Sequence, residues 1–525
     1  HDLNGTLDLP ELHYGGINVY GSNVVFGEHN GESDIDLEIV AADLRENFFF
    51  EDVLIQGKVT DDSLKFRFKT DDLADIIDQI DMDVLADPEK GTWNISLSPR
   101  KLKMLGTLWQ IPEGNKIEIR KNYFSLDHFE LVSGDQHIRL EDIDNKGLKA
   151  DIAGFNISYL NELWVNDKFK FTGLYDLNME IDNLYDIRHL KSVLHIPALK
   201  VNNVPYGEWV LNSSMDDPKD SVRIDLKMHH NETMLTGEGA YLPPIKSIPK
   251  DKQNYLRLAL KTTDFPLDFL EFLLGGNIRD TEGSVDMNLN LTGKVNKLNP
   301  NGQGVVYNGS TIIDYLGASY SFHNQAFKIT ENMIDLTGAK LYDVQGNVAT
   351  IQGGLTHRYL RNLGLNATIT SEKIIGLDVT SEENNVFYGT GIGKVFARFS
   401  GTVSNPVMNI DATTAPGTHI YIPLTGAASR NEHDFAVFLQ NGLLPADKPT
   451  QIKFGGISLN MTLTITEDAI LEIIFDENTG EVLRGRGNGD IQMVMSRTGN
   501  FQMFGNFTIS KGDYLFTNFR VVRKP

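Results

Sequence analysis

The chain has no cysteine in 525 residues. A disulfide framework and a thiolate metal site are thereby excluded. Such an absence suits an exported bacterial protein, which avoids mispaired thiols in an oxidising compartment. Long hydrophobic runs are missing too: no stretch approaches the ~18–20 consecutive apolar residues of a membrane-spanning helix. No initiator methionine or basic, apolar leader is seen at His1. The sequence is therefore expected to be a piece of something longer, with any anchor or export signal outside it.

Positive charge is in short supply, with 48 Lys and Arg against 71 Asp and Glu and a net charge of −23. Nucleic acid is excluded as a partner, because affinity there depends on neutralising phosphates with Lys and Arg. The acids are scattered singly through polar positions of strands, which makes them a solvated face. Helical periodicity is equally sparse. Pro266 to Leu274 reads as a short helix, with Pro just inside its start and Gly275-Gly276 past its end. Ser158 to Trp164 and Asp72 to Ile80 carry fewer of these marks. Each is expected to be a lid or plug on a sheet, since so short a helix has little stability alone.

What the chain has in abundance is two-residue alternation, the period of a strand with one dry and one wet face. Tyr175 to Asp182, Val285 to Thr292 and Leu459 to Thr466 alternate without error. Ile35 to Ile39, Val222 to Met228 and Leu256 to Lys261 are further examples. Asn-Gly pairs at 30–31, 301–302, 308–309 and 441–442 read as turns between them. Antiparallel strands in short hairpins follow, with polar outer faces that rule out a parallel α/β sheet. The dry positions Tyr175, Leu177, Met179, Ile181, Val285, Met287, Leu289, Leu291, Leu459, Met461, Leu463 and Ile465 form the candidate site.

The chain also repeats itself. Phe155 to Leu163 and Phe265 to Leu273 each precede a glycine, Gly173 or Gly283, that opens an alternating strand. The offset of 110 also relates Tyr206-Gly207 to Leu316-Gly317, and a third copy is expected around Gly391. This divides the chain into 1–145, where the repeat is unclear, repeats at 146–255 and 256–363, and a C-terminal β domain at 364–525. A unit of that size holds about five strands, and twenty to twenty-five strands would stack to roughly 100–120 Å. A sheet of that length, curled lengthwise, has an apolar trough of ~1,500 Å², above the ~300–600 Å² patch a soluble monomer tolerates. Such a trough is covered, closed by its own side chains, or occupied by something apolar.

Constellations for catalysis are lacking. His229 and His230 are adjacent, so in a strand they point to opposite faces and cannot chelate one metal. Gly389 to Gly393 and Gly485 to Gly489 lead into further alternation, not into the helix a phosphate loop requires, and read as close backbone approaches. Asp476 to Glu481 has some features of a calcium loop but reads as a hairpin turn. Acid pairs lie on the wet face, where no desolvation tunes them for acid–base work. No enzyme and no cofactor are expected.

The segments 262–273, 282–293 and 301–322 resemble the repeating unit of AsmA-like proteins. Together with 343–357, 386–410, 415–426 and 483–516, they resemble in order and spacing the C-terminal domain of the TamB family, in its Bacteroidetes form. The resemblance implies an elongated, open, taco-like β-groove made of repeating sheet units. It further implies a non-enzymatic component of a translocation and assembly module in the periplasm, bridging inner and outer membranes. Such a protein moves phospholipid, held by its acyl chains, toward the outer membrane and is tied to the inner membrane by an anchor preceding this chain. The partner is an outer-membrane assembly barrel of the TamA type, and Gly512, Tyr514 and Phe516 are implied to face it. The competing reading is a structural or adhesive β-helical surface protein with a closed core, which would show a coil repeat of ~20–25 residues. A polysaccharide-cleaving β-helix would need clustered acids in a cleft.

Overall fold

Alternation at period two requires hydrogen-bonded neighbours on both sides of each strand. In a computed structural model of the chain, thirty-eight strand segments and one α-helix are described. The fold is all-β, as the sequence indicates. The structure describes residues 4–524 other than 15–16, 30–31, 45–47, 60–63, 71, 74–76, 88–91, 96–100, 105, 160, 162–168, 217–220, 385, 424–455, 477–479, 499 and 519–521. They form two units, His1–Leu258 and Ala259–Pro525.

In the first unit, strands Asn4–Tyr14, Ile17–His29, Glu32–Leu44 and Phe48–Val59 pair in an antiparallel meander. Ladder pairing is interrupted where Pro10, Gly21, Val40 and Asp52 come opposite one another. Proline has no N–H to give there, and Gly21 and Asp52 are left-handed, with φ of 62° and 48°. The four strands are thus creased along one line, which presents Val40 outward at 64% exposure. The next two strands are Leu64–Thr70 and Ile77–Asp87, antiparallel to each other. The described residues of Asp72 to Ile80 are therefore not helical. Asp72–Leu73 and Ile77–Asp87 are strands, because the ladder from Thr70↔Ile80 to Leu64↔Ala86 outweighs a short helical pattern. A second meander in this unit runs from Phe129–Ser133 to Thr233–Leu242.

The second unit repeats the crease by another device. Ala318–Phe322 is followed by Gln325–Ile329, and both pair with the one strand Lys297–Ile313. Asn405–Thr414 is followed by His419–Pro423, and both pair with Tyr388–Thr402. Ser458–Ile465 and Ile470–Asp476 share Glu481–Met495 in the same way. The last two interrupted strands lie parallel to each other, Asn405–Thr414 beside Ser458–Ile465 and His419–Pro423 beside Ile470–Asp476. This corrects the expectation of antiparallel pairing throughout. The sequence between Pro423 and Ser458 exceeds the dozen residues that a parallel crossover needs. At the interruption Thr466 N–H donates to Thr414 Oγ1 at 2.9 Å, and Thr418 Oγ1 accepts from Ile392 N–H at 3.0 Å. Ala469 is fully buried beside them.

Positions 110 residues apart share backbone geometry. The N–H of Gly154 donates to Asp176 Oδ1 and that of Asp264 to Asp286 Oδ1, both at 2.8 Å. Buried Ile157 and Leu267 donate their N–H to the carbonyls of Gly173 and Gly283, at 2.9 and 3.0 Å. Gly207 and Gly317 are both left-handed, at 67° and 61°. In the third copy the left-handed glycine is Gly389 (φ 113°) rather than Gly391. A Cβ on Gly389 would sit 2.2 Å from the His419 carbonyl, whereas Gly391 lies opposite Leu377 next to a register shift.

Each anchored Ile157 or Leu267 opens a helical insert. In the later copy it is the helix Phe269–Leu273, closed by left-handed Gly275 and Gly276. Pro266 is not inside it but ends the preceding strand Tyr255–Pro266. In the earlier copy Tyr159 and Asn161 are helical, and the rest of Ser158 to Trp164 beyond 161 lies outside the described residues. Asn301-Gly302 and Asn308-Gly309 are not turns either; both lie within Lys297–Ile313, where Asn308 forms a bulge at φ 47°. The other two Asn-Gly pairs lie outside the described residues. Two-residue hairpins with left-handed central residues occur instead at Asn202-Asn203 and Tyr359-Leu360.

One buried carboxylate fastens the second unit. Asp343, 5% exposed, accepts from the N–H groups of Gln345, Asn347 and Ile375 and from Asn347 Nδ2, all within 2.9 Å. Burial pushes its carboxyl up, but these four donors outweigh burial and hold it below the ordinary carboxylate range. Asp343→Ala is expected to cost about 3 kcal/mol at pH 7 by stranding those donors. Because the folded carboxyl is depressed, its contribution is present above the unfolded value near 3.9 and is lost as pH falls through the folded value. Urea midpoints for wild type and variant should therefore converge in strong acid; a gap independent of pH would refute the assignment.

Candidate functional site

In the first unit, register lines up the dry faces of successive strands. Leu131, Ile138, Ile152, Leu177, Leu194, Leu211, Leu226 and Gly237 are directly opposite one another across eight strands. The next row outward is Ala150, Met179, Ser192, Ser213, Ile224 and Gly239. Ile181 joins a third with Leu148, Leu190 and Met215. Tyr175, opposite Phe155, lies toward the crease, and burial pushes its phenol up. Its ring is 5.5 Å from that of Phe155, which in turn is 5.7 Å from Trp109.

Burial is high at the crease, lower one row out, and high again in the third row, where Ile181 and Met215 are buried. At the crease Ile157, Ile196, Leu199 and Met228 are buried. Leu177, Leu194, Leu211 and Leu226, one row out, are each only partly buried. In the first meander burial also drops between the crease and the rows beyond it. Ser22, Val53 and Thr70 beside its crease are buried. The row Leu7, Val24, Leu37, Ile55, Phe68 holds no buried residue, and Leu7 is 50% exposed.

In the second unit Val285, Leu289, Leu291 and Ile465 are buried, and Met287, Leu459, Met461 and Leu463 are partly so. Met287 lies opposite Gly304 and then Phe327. Met461 stands in a row with Ile369, Ala397, Ile410, Met493 and Met503, and Leu459 in one with Phe399, Met408, Met495 and Phe501. Five of the thirteen methionines thus share two adjacent rows. Met408, Met493, Met495 and Met503 are absent from the residues picked by sequence. Alternation in Ile491 to Met495 puts Met493 and Met495 on one face, but which strand they oppose is not written in it. The strands Ile278–Lys294 and Ser458–Ile465 share no ladder, so their site residues belong to different stretches of wall.

Part of this second wall is closed on itself. Ile420, Ile465, Ala469, Leu471, Ile491 and Met493 pack in one buried cluster. On the opposite face of Ile470–Asp476, the buried Glu472 accepts from Arg484 Nε at 2.7 Å and contacts His419 Nε2 at 2.8 Å. This raises the Arg484 guanidinium further and satisfies the carboxylate, a structural role. Gly485, Gly487 and Gly489 let the strand Phe501–Asn518 approach closely; a Cβ on Gly487 would lie 1.9 Å from the Thr508 carbonyl. Gly512 and Tyr514 are exposed on that strand, and the Tyr514 hydroxyl donates to Glu481. The side chain of Phe516 lies outside the described residues. Among the described residues no group of three or more His, Asp or Glu is placed to hold a metal ion.

The family model of the TamB C-terminal domain matches residues 338–523. No curated protein and no solved structure gives a significant match. The matched stretch contains two of the three interrupted strand pairs, the paired methionine rows and the exposed strand at Gly512 and Tyr514. Over residues 338–523 the chain carries a TamB C-terminal domain.

Proposed function

We propose that this protein is a non-enzymatic lipid conduit of the bacterial periplasm, passing phospholipid toward the outer membrane beside an assembly barrel of the TamA type. The observation that carries the reading is the eight-strand row Leu131 to Gly237, in register and only partly buried over its middle. Seven strand spacings make it roughly 34 Å long, enough for two acyl chains end to end, each about half the ~30 Å bilayer core. Each methylene removed from water contributes about 0.8 kcal/mol, so a dozen contribute ~10 kcal/mol before ordering is subtracted. The methionine rows suit the same occupant, because thioethers adapt to a mobile chain. The TamB C-terminal domain over residues 338–523 supports the location and the class of partner.

Native mass spectrometry of the purified chain tests the reading. Several phospholipids per chain are expected, and a folded, lipid-free preparation from membrane-containing lysate would overturn it. The buried cluster around Ile465 and Leu471 favours a second reading for that stretch alone, a closed scaffold. Photo-crosslinkable lipid would then label the Leu177 and Leu211 walls but leave Ile465 unlabelled.

A further inference from the structure

On the outer face of the first unit, residues 243–254 fold back over the sheet and enclose an open cavity of about 730 Å³. Ala240 lines it and is adjacent in sequence to Gly239 of the apolar row, so the cavity lies on the face opposite that row. The loop is pre-organised. Gln253 Nε2 donates to the carbonyls of Ile245 and Ile248, at 3.0 and 2.8 Å, and Ile248 is buried. Asn254 N–H closes the base on the Leu242 carbonyl at 2.8 Å, and the Tyr241 hydroxyl donates to Asn254 Oδ1 at 2.9 Å. Three prolines restrict the rest.

The charge here runs against that of the chain. Lys246, Lys250 and Lys252 are exposed on the loop, and Arg257 is exposed at the cavity wall. Among the described residues none of the four has a carboxylate within ion-pair distance. Asp251 is the one acid of the lining, which also offers the hydroxyl-bearing residues Ser221, Ser247 and Tyr255. Arg257 sits 5.8 Å from the centroid of the Tyr255 ring. In a chain of net charge −23 this is a local concentration of cations around a hollow whose frame is already ordered.

We propose that the cavity beneath residues 243–254 binds a phosphate-type anion, held by Lys252 and Arg257. Guanidinium offers a two-pronged grip on tetrahedral oxygens and ammonium a compact charge, the pairing such an anion needs. The site does not depend on the lipid conduit, which uses the other face. Titration calorimetry with inorganic phosphate, and co-sedimentation with vesicles of phosphatidylglycerol or phosphatidylcholine, test it on the full chain. Saturable phosphate binding, or sedimentation with phosphatidylglycerol alone, is expected, weakened at least tenfold in K252Q/R257Q with an unchanged melting curve. The first result identifies a free anion as ligand and the second a lipid headgroup. Binding of neither, equal sedimentation with both vesicles, or a double variant that binds like wild type overturns the proposal.

Discussion

Leu194→Asp is expected to strip phospholipid from the purified chain yet to lower the urea midpoint of the first unit only modestly. Leu194 stands between Leu177 and Leu211, midway along the eight-strand row, and is partly buried. A carboxylate there breaks the apolar path at its centre, and retained lipid should fall about tenfold or more, equivalent to ~1.4 kcal/mol or more of lost affinity. Stability discriminates between an open wall and a closed core. In an open wall water reaches the new carboxylate, and the loss is about 2 kcal/mol for the missing leucine surface. In a closed core an unpaired buried charge adds several kcal/mol, enough to unfold a marginal unit. Val193→Asp is the control, since a shift of one residue moves the charge to the outer face, where Val193 lies opposite Asn212 and that residue opposite Asp225. Lipid retained by Leu194→Asp, or lost equally in Val193→Asp, would sink the conduit.

The pairing of that experiment shows where sequence is informative and where it stops. Which of Val193 and Leu194 faces the apolar side follows from alternation alone. That Leu194 meets Leu177 and Leu211 does not, because any even offset between strands keeps the same faces inward. Sequence exposed the 110-residue period through Phe155 and Phe265, and through Gly173 and Gly283. The carboxylates that make the period structural, Asp176 and Asp286, looked like ordinary wet-face acids. Each in fact accepts a backbone N–H freed where the neighbouring strand turns left-handed, at Gly154 and Asp264. The creases were illegible for the same reason. Pro10, Gly21, Val40 and Asp52 share no motif, and only register brings them onto one line. Asn-Gly misled because the same φ > 0 tolerance serves a bulge inside a long strand as well as a hairpin, as at Asn308.

The creases also locate where the second unit cannot tolerate a side chain. Gly317→Ala and Gly275→Ala should differ sharply although the backbone asks the same of both. Their φ values are 61° and 67°, so each alanine bears the left-handed penalty of ~1–2 kcal/mol. A Cβ on Gly275 has nothing within 4 Å, and the loss ends there. A Cβ on Gly317 would lie 2.2 Å from the Asp378 carbonyl oxygen, and the Asp378 N–H donates to the Leu316 carbonyl at 2.8 Å. Neither side can yield alone: moving Asp378 disturbs the ladder from Val379↔Gly389 to Leu377↔Gly391, and moving Gly317 lifts Ala318 and Tyr320 from the buried cluster with Ile375. Gly317→Ala is therefore expected to lose at least about 3 kcal/mol, twice or more the loss in Gly275→Ala. Thermal and urea midpoints of the two variants measure the difference. Equal midpoints would mean that the sheet yields freely at this line, and a crease that yields freely could not hold the apolar rows on its two sides at a fixed separation.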